Sequence, residues 1–270
     1  MKSDKINTYH KRRKLMLKRE KYPVIEFDDC REAVINPSLL QSEYGVLPYN
    51  KLVISFFGEA IKILLDEGKI QEYVTVSGEN PVVIYKFTDA DVLITHGMVG
   101  CPACAGNLDC LTGIGIDTVM FCGGGGSLDG KMEVGQLFVV DGAIRDEGFS
   151  YHYIEPSRII SSNAEVASKV CKHLGEKNIS YVRGITWTTD AMCRETRDRI
   201  AARREEGAKI VEMEQAGCLA VAQFRGIKYG AIIYAGDDVS GDEWDQRSWM
   251  SRKGLRYSLI ELCKELVQII

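Results

Sequence analysis

The chain has no apolar run approaching the roughly 20 residues that a membrane-spanning helix needs. No contact with the membrane is expected. Its basic start is not followed by an apolar core, so it does not read as a secretory signal. Histidine is scarce, with four residues far apart in sequence, and there is no second Cys-x-x-Cys. A tetrahedral metal centre is therefore unsupported, and no metal is expected. The net charge of −4 gives no general pull toward nucleic acid or anionic lipid. Repeats and low-complexity linkers are also missing.

What remains fits a soluble globular protein. Hydrophobic residues make up 45% of the 270 positions and charged residues 27%. Nine cysteines without a secretion signal point to a reducing cytoplasm. The local charge anomaly is residues 1–21, with nine Lys or Arg against Asp4 and Glu20. Tyr9 is the lone aromatic in the first 20 residues, and base stacking wants more. A solvated arm over 1–22 ahead of one domain over 23–270 is the economical reading.

Apolar bursts alternate with helical patterns, which predicts an α/β fold. Strands are expected over 51–57, 81–87, 92–95, 118–122, 136–140, 181–187 and 228–235. Helices are expected through 65 and over 102–111, 164–174, 194–206, 215–224 and 257–270.

Val211-Glu-Met-Glu214 ends a short apolar strand, and a helix follows. Carboxylates at i and i+2 of an extended segment share a face. Glu212 and Glu214 could then both meet one ligand. Carboxylates accept hydrogen bonds without donating, which suits a vicinal diol. Four glycines, Gly123, Gly124, Gly125 and Gly126, follow a strand. They form either an anion-binding loop or a tight turn; no Gly-Lys-Ser/Thr follows, as a nucleotide-triphosphate loop would require.

The segment from Thr186 to Thr196 offers hydroxyls and a thioether that suit a nucleobase. It reads equally as a helix start capped by Thr189 or Asp190. Asp237 stands at a strand end, the edge where open α/β sheets place ligands. Asp238 reads as its solvated partner or a turn cap. Cys101-Pro-Ala-Cys104 has redox spacing ahead of a helix. His152 lies in a polar aromatic segment, and Trp244 and Trp249 read as packing or interface residues.

Five segments in register resemble the nucleoside phosphorylase, uridine phosphorylase and nucleosidase superfamily. They are His96-Gly-Met-Val-Gly-Cys-Pro102, Cys122-Gly-Gly-Gly-Gly126, Thr189-Asp-Ala-Met192, Val211-Glu-Met-Glu214 and Gly236-Asp237. The resemblance implies a single-domain, three-layer α/β/α fold with a central mixed sheet. It implies that Glu214 holds the ribose hydroxyls, with Met213 under the sugar and Glu212 close by. It implies that Met192 stacks on the base beside Thr188 and Thr189, and that Asp237 protonates a purine. Gly123, Gly124 and Gly125 would form the phosphate or anion loop, and His96 and His152 are candidate pocket residues. It also implies a homo-oligomer, a dimer or a hexamer.

The departures concern phosphate. Where the family carries Gly-Asp-Pro-x-Arg near the N-terminus, this chain has Cys30-Arg-Glu-Ala-Val-Ile-Asn-Pro37 instead. Phe121 replaces an arginine before the glycines, and Gly124 replaces a hydroxyl residue. No neighbour-subunit arginine is visible over 75–86. The uracil-reading Gln and Arg have no match in register, although Arg194, Glu195 and Arg197 lie near. The expected activity is phosphorolysis of a nucleoside, purine favoured, with inorganic phosphate as co-substrate and no cofactor. The alternatives are a nucleosidase using water, a silent nucleoside-binding protein, and a thiol redox protein built on Cys101 and Cys104.

Overall fold

The computed structural model describes residues 17–270; most of the basic arm lies outside them. Ahead of the sheet come the short turns Pro23–Ile25, Pro37–Leu40 and Gln41–Tyr44. Ten strands follow: β1 Lys51–Ser55, β2 Ile70–Val76, β3 Val82–Phe87, β4 Leu93–His96, β5 Thr118–Ser127, β6 Leu137–Asp146, β7 Ile159–Ser161, β8 Tyr181–Thr189, β9 Ala208–Glu212 and β10 Lys228–Asp238. The main helices are α1 Gly58–Asp66, α2 Cys101–Thr112, α3 Ala164–Glu176, α4 Arg197–Glu205, α5 Gln215–Arg225 and α6 Lys253–Leu266.

The strands form one mixed sheet in the order β10-β6-β8-β9-β5-β1-β4-β3-β2, with β7 on β6. β5 also pairs with β10 in parallel, so β5, β9, β8, β6 and β10 close on one another. Alternation along the strands sends side chains to two faces. Leu52, Ile54, Val119, Phe121 and Ile233 pack with Cys104, Leu108 and Leu111 of α2 and Leu219 of α5. Val53, Met120, Ile232 and Tyr234 pack with Ile61 of α1, Val170 of α3 and Ile260 of α6. Helices on both faces of the sheet give the expected three layers.

Local signals explain several helix ends. The Asn163 side chain accepts from the N–H groups of Glu165 and Val166 and starts α3. Gly226, in the left-handed conformation at φ +73°, stops α5. The cap of α4 is Thr196, accepting from Arg199 N, not Thr189 or Asp190. A 3-10 turn, Met192–Arg194, precedes it.

The glycine run differs from its expected form. Gly123 to Gly126 belong to β5 and are not a loop. A Cβ on Gly125 would lie 2.5 Å from Ile210 Cγ2 and 2.8 Å from the Val211 carbonyl oxygen. Glycine is required there because β9 crosses too closely for a side chain.

Candidate active site

The site begins with a break in pairing. β1 follows one edge of β5 as far as the Ser55–Cys122 pair. β9 takes up β5 again at Gly126 and Ser127, while β10 runs along it through Gly125. Phe56 N donates to the Cys122 carbonyl at 3.1 Å on the β1 edge. Alternate residues of a strand turn their main-chain groups the same way. Gly124 therefore aims its amide into the gap, whereas Gly123 and Gly125 turn theirs toward β10.

Around this gap gather the start of α1, the loop from His96 to Gly100 and the start of α5. α1 opens with Phe57 as its N-cap residue, and its first intrahelical bond is from Ile61 N to Phe57 O. The N–H groups of Gly58, Glu59 and Ala60 thus have no intrahelical acceptor. The His96 ring lies over Gly58, 3.2 Å from where a Cβ would stand.

Glu212 and Glu214 are each 6% exposed, yet they do different things. Glu212 Oε2 accepts from the N–H groups of Glu214 and Gln215 at 2.6 and 2.7 Å. Its Oε1 accepts from Thr186 Oγ1 at 2.9 Å and from Thr188 Oγ1. Four hydrogen bonds fix this carboxylate at the start of α5, whose N-cap residue is Glu214. The expectation that both carboxylates aim at one ligand does not hold, because the extended segment ends at Glu212 and Glu214 has turned to φ −131°, ψ −30°. Burial raises Glu212 to about 6, opposed by its hydrogen bonds to Thr188, the two amides and Thr186.

Glu214 accepts from Gly100 N at 2.7 Å through Oε1 and from Met213 N at 3.3 Å through Oε2. Gly100 presents that amide from φ +92°, a backbone state that favours glycine. Burial, then the charge of Glu212, pushes Glu214 up to about 8. Its two partners leave lone pairs for a hydroxyl donor. Met213 beside it is half-buried.

Other acids of interest lie at the end of β10 and in the segment after it. Trp244 Nε1 donates to Asp237 Oδ2 at 2.6 Å. Asp238 instead caps its own turn, accepting from Ser240 N at 2.8 Å, and faces Arg247 at 3.8 Å. Arg247 clamps the strand end by donating to the carbonyls of Asp237 and Met132 at 2.8 and 2.7 Å. Glu195, half-buried, is raised to about 7 by burial and then by the Asp237 charge. Glu195 is legible in the sequence as a base-side neighbour, but its burial is not.

The remaining expected site residues are placed unevenly. Thr188 is fully buried; it donates to Glu212 and accepts from Ala216 N at 3.0 Å. It therefore supports α5 and is not free to read a base. Thr189 is 1% exposed and accepts from Ala191 N at 3.2 Å. Met192 is 65% exposed. His152 is exposed on the turn Ser150–His152, which buried Arg145 anchors through Ser150 Oγ at 2.8 Å and the Ile154 and Glu155 carbonyls.

A family comparison decides the larger question. The family description "Phosphorylase superfamily" matches residues 51–258. The chain belongs to the phosphorylase superfamily. It is 25% identical over 181 residues to a guanosine phosphorylase of Halorubrum lacusprofundi, covering 65% of this chain and 75% of that protein. Its fold is similar to that of a Toxoplasma gondii purine nucleoside phosphorylase, with TM-score 0.67 and 16% identity over 82% of this chain and 92% of that one. It is equally similar to a Helicobacter pylori 5'-methylthioadenosine/S-adenosylhomocysteine nucleosidase, at TM-score 0.67 and 16% identity over 83% of this chain and all of that one.

The structure offers another stretch for the glycine-led motif. Residues 30–37 lie outside the sheet. The strand-end segment with the spacing glycine, acid, x, x, cation is Gly58-Glu59-Ala60-Ile61-Lys62. Its lysine turns outward to Asp66 at 3.0 Å and is 73% exposed. Cys101 and Cys104 are buried in α2, and Cys104 Sγ meets Cys218 Sγ at 3.7 Å. Burial pushes the Cys101 thiol far up, opposite to a reactive redox thiol. Among the described residues, no group of three or more His, Cys, Asp or Glu is placed to hold a metal ion. No described helix is long and apolar enough to cross a membrane.

Proposed function

We propose that the chain cleaves the N-glycosidic bond of a nucleoside by phosphorolysis, giving a free base and (deoxy)ribose 1-phosphate, with purines favoured. The observation that carries this is the buried Glu214, held by Gly100 N at 2.7 Å with lone pairs left for a hydroxyl donor. Glu214 accepts from the ribose hydroxyls and Met213 packs under the sugar. Asp237 donates a proton to the purine N7 as the bond to C1′ breaks and its electrons pass to the base. A phosphate oxygen near Gly124 then donates a lone pair to C1′. The guanosine phosphorylase relative supports both the reaction and the purine preference.

Hydrolysis on the same scaffold is the second reading. It is favoured by Phe121 in place of an arginine and by the outward turn of Lys62. The site needs no cofactor in either case. A silent binding protein is disfavoured by the presence of both acid–base groups. We read the protein as cytoplasmic and as a homo-oligomer, dimer or hexamer. Val99, Met192, Trp244 and Met250 are each at least 60% exposed, an apolar set a second copy would cover. A monomer by light scattering at micromolar concentration would contradict that assembly.

Glu214→Ala tests the central assignment. Loss of hydrogen bonds to a charged acceptor removes roughly 1.5–3 kcal/mol and misplaces the sugar. Turnover of inosine, guanosine, adenosine or uridine should collapse, and near-normal kcat/KM would sink the assignment.

A further inference from the structure

The superfamily's phosphate arginines are absent from their expected positions, yet a buried cation stands beside the same gap. Arg256 of α6 is 8% exposed and has no acid partner among the described residues. Its Nε donates to the Tyr234 hydroxyl at 3.0 Å and its Nη2 to the Trp249 carbonyl at 3.4 Å. The guanidinium sits 5.3 Å from the Trp249 ring centre, 5.4 Å from Phe57 and 5.9 Å from Tyr234. Those neighbours are neutral: the rings and the two acceptors stabilise the cation in part, but no carboxylate balances its charge. A buried cation without a counter-charge is costly unless a ligand supplies one.

Each wall of this cage leads to the gap. A Cβ on Gly124 would lie 3.1 Å from Tyr234 Cζ, so one tyrosine ring separates the guanidinium from the glycine. Phe57 is the N-cap of α1, whose first-turn N–H groups are free for an anion. The acid in that turn, Glu59, faces Lys253 at 3.9 Å. Trp249 covers the spot: its Cζ3 would be 3.3 Å from a Gly124 Cβ, and its Cε3 3.4 Å from one on Gly236. Arg247 and Ser248, just before it, are held at φ +45° and +50°, a region unfavourable to residues with side chains. The cover is seated through a strained joint.

We propose that Arg256 is the cation that binds inorganic phosphate at the acceptor subsite, with the start of α1 and the Gly124 amide, and that Trp249 is the cover the anion displaces. This rests on the phosphorolysis reading. The test uses the full chain, with phosphate as the titrant and sulfate as a competitor. Without nucleoside, phosphate should raise Tm and change tryptophan emission in the wild type. Trp249→Phe should lose the emission change. Arg256→Met should lose the Tm shift and raise the phosphate KM by roughly ten- to a hundredfold, with the nucleoside KM within twofold. Arg256→Lys keeps the charge without the fork and should fall between, which covers the case of a misfolded methionine variant. An unchanged phosphate KM in either Arg256 variant, or an emission change that survives in Trp249→Phe, overturns the proposal. Phosphate binding that depends on Arg256 alongside free ribose as product would overturn phosphorolysis but leave the anion site standing.

Discussion

Replacing Glu214 with Gln should change the pH dependence of stability more than its level. The carboxyl is raised from 4.5 unfolded to about 8 folded. A carboxyl raised on folding binds more protons when folded. Its burden on stability is therefore absent below pH 4.5, grows as pH rises, and is complete above 8. By linkage that burden is roughly 1 kcal/mol at pH 5 and nearly 5 kcal/mol at pH 9. Gln keeps an acceptor for Gly100 N but cannot accept well from Met213 N, a loss of about 1 kcal/mol that does not vary with pH. Relative to wild type, the variant should therefore gain about 4 kcal/mol between pH 5 and pH 9. For a chain of this size that is a swing of roughly 8–15 °C in the Tm difference. Differential scanning fluorimetry at both pH values reads it. Parallel curves for the two proteins would refute the reasoning, because they would mean Glu214 is ionised with little burden in the folded state.

Asp237→Asn should slow cleavage of a purine nucleoside by roughly a hundred- to ten-thousandfold with little change in binding, since it removes general acid catalysis; Asp238→Asn should act mainly on stability. A crippled Asp238 variant, or cleavage of uridine alone, would reverse that assignment. Glu195, at about 7, should give kcat/KM a basic limb near neutrality as its proton is lost. Glu195→Gln should abolish that limb, and a limb that persists would assign it elsewhere. Glu212→Gln keeps one acceptor oxygen for four donors, the two N–H groups at the start of α5 and the two threonine hydroxyls, so Tm should fall by roughly 3–10 °C; an unchanged Tm would show that the start of α5 does not depend on Glu212.

The strands with continuous apolar runs were legible because burial on both faces leaves a plain signal, as in β1 and the first half of β5. β2 was not, since Gln71, Glu72 and Tyr73 lie exposed on an edge strand and alternate too irregularly. The glycine run misled because glycine is a poor strand former, while its role here is to let β9 cross β5. Glu214 was legible from its motif. The internal role of Glu212 was not, because the rule of alternating faces stops where the strand does, one residue before Met213. Thr188 was misread for the same kind of reason: its partner is a carboxylate 24 positions away. The burial of Arg256 and of Glu195 depends on tertiary packing that no local pattern encodes.

The most direct test of the account is the sugar product. The full chain would be incubated with guanosine or inosine in phosphate buffer and in phosphate-free buffer, and the sugar identified by proton and phosphorus NMR. The account predicts ribose 1-phosphate in phosphate and negligible cleavage without it. Free ribose formed at the same rate in both buffers would contradict it.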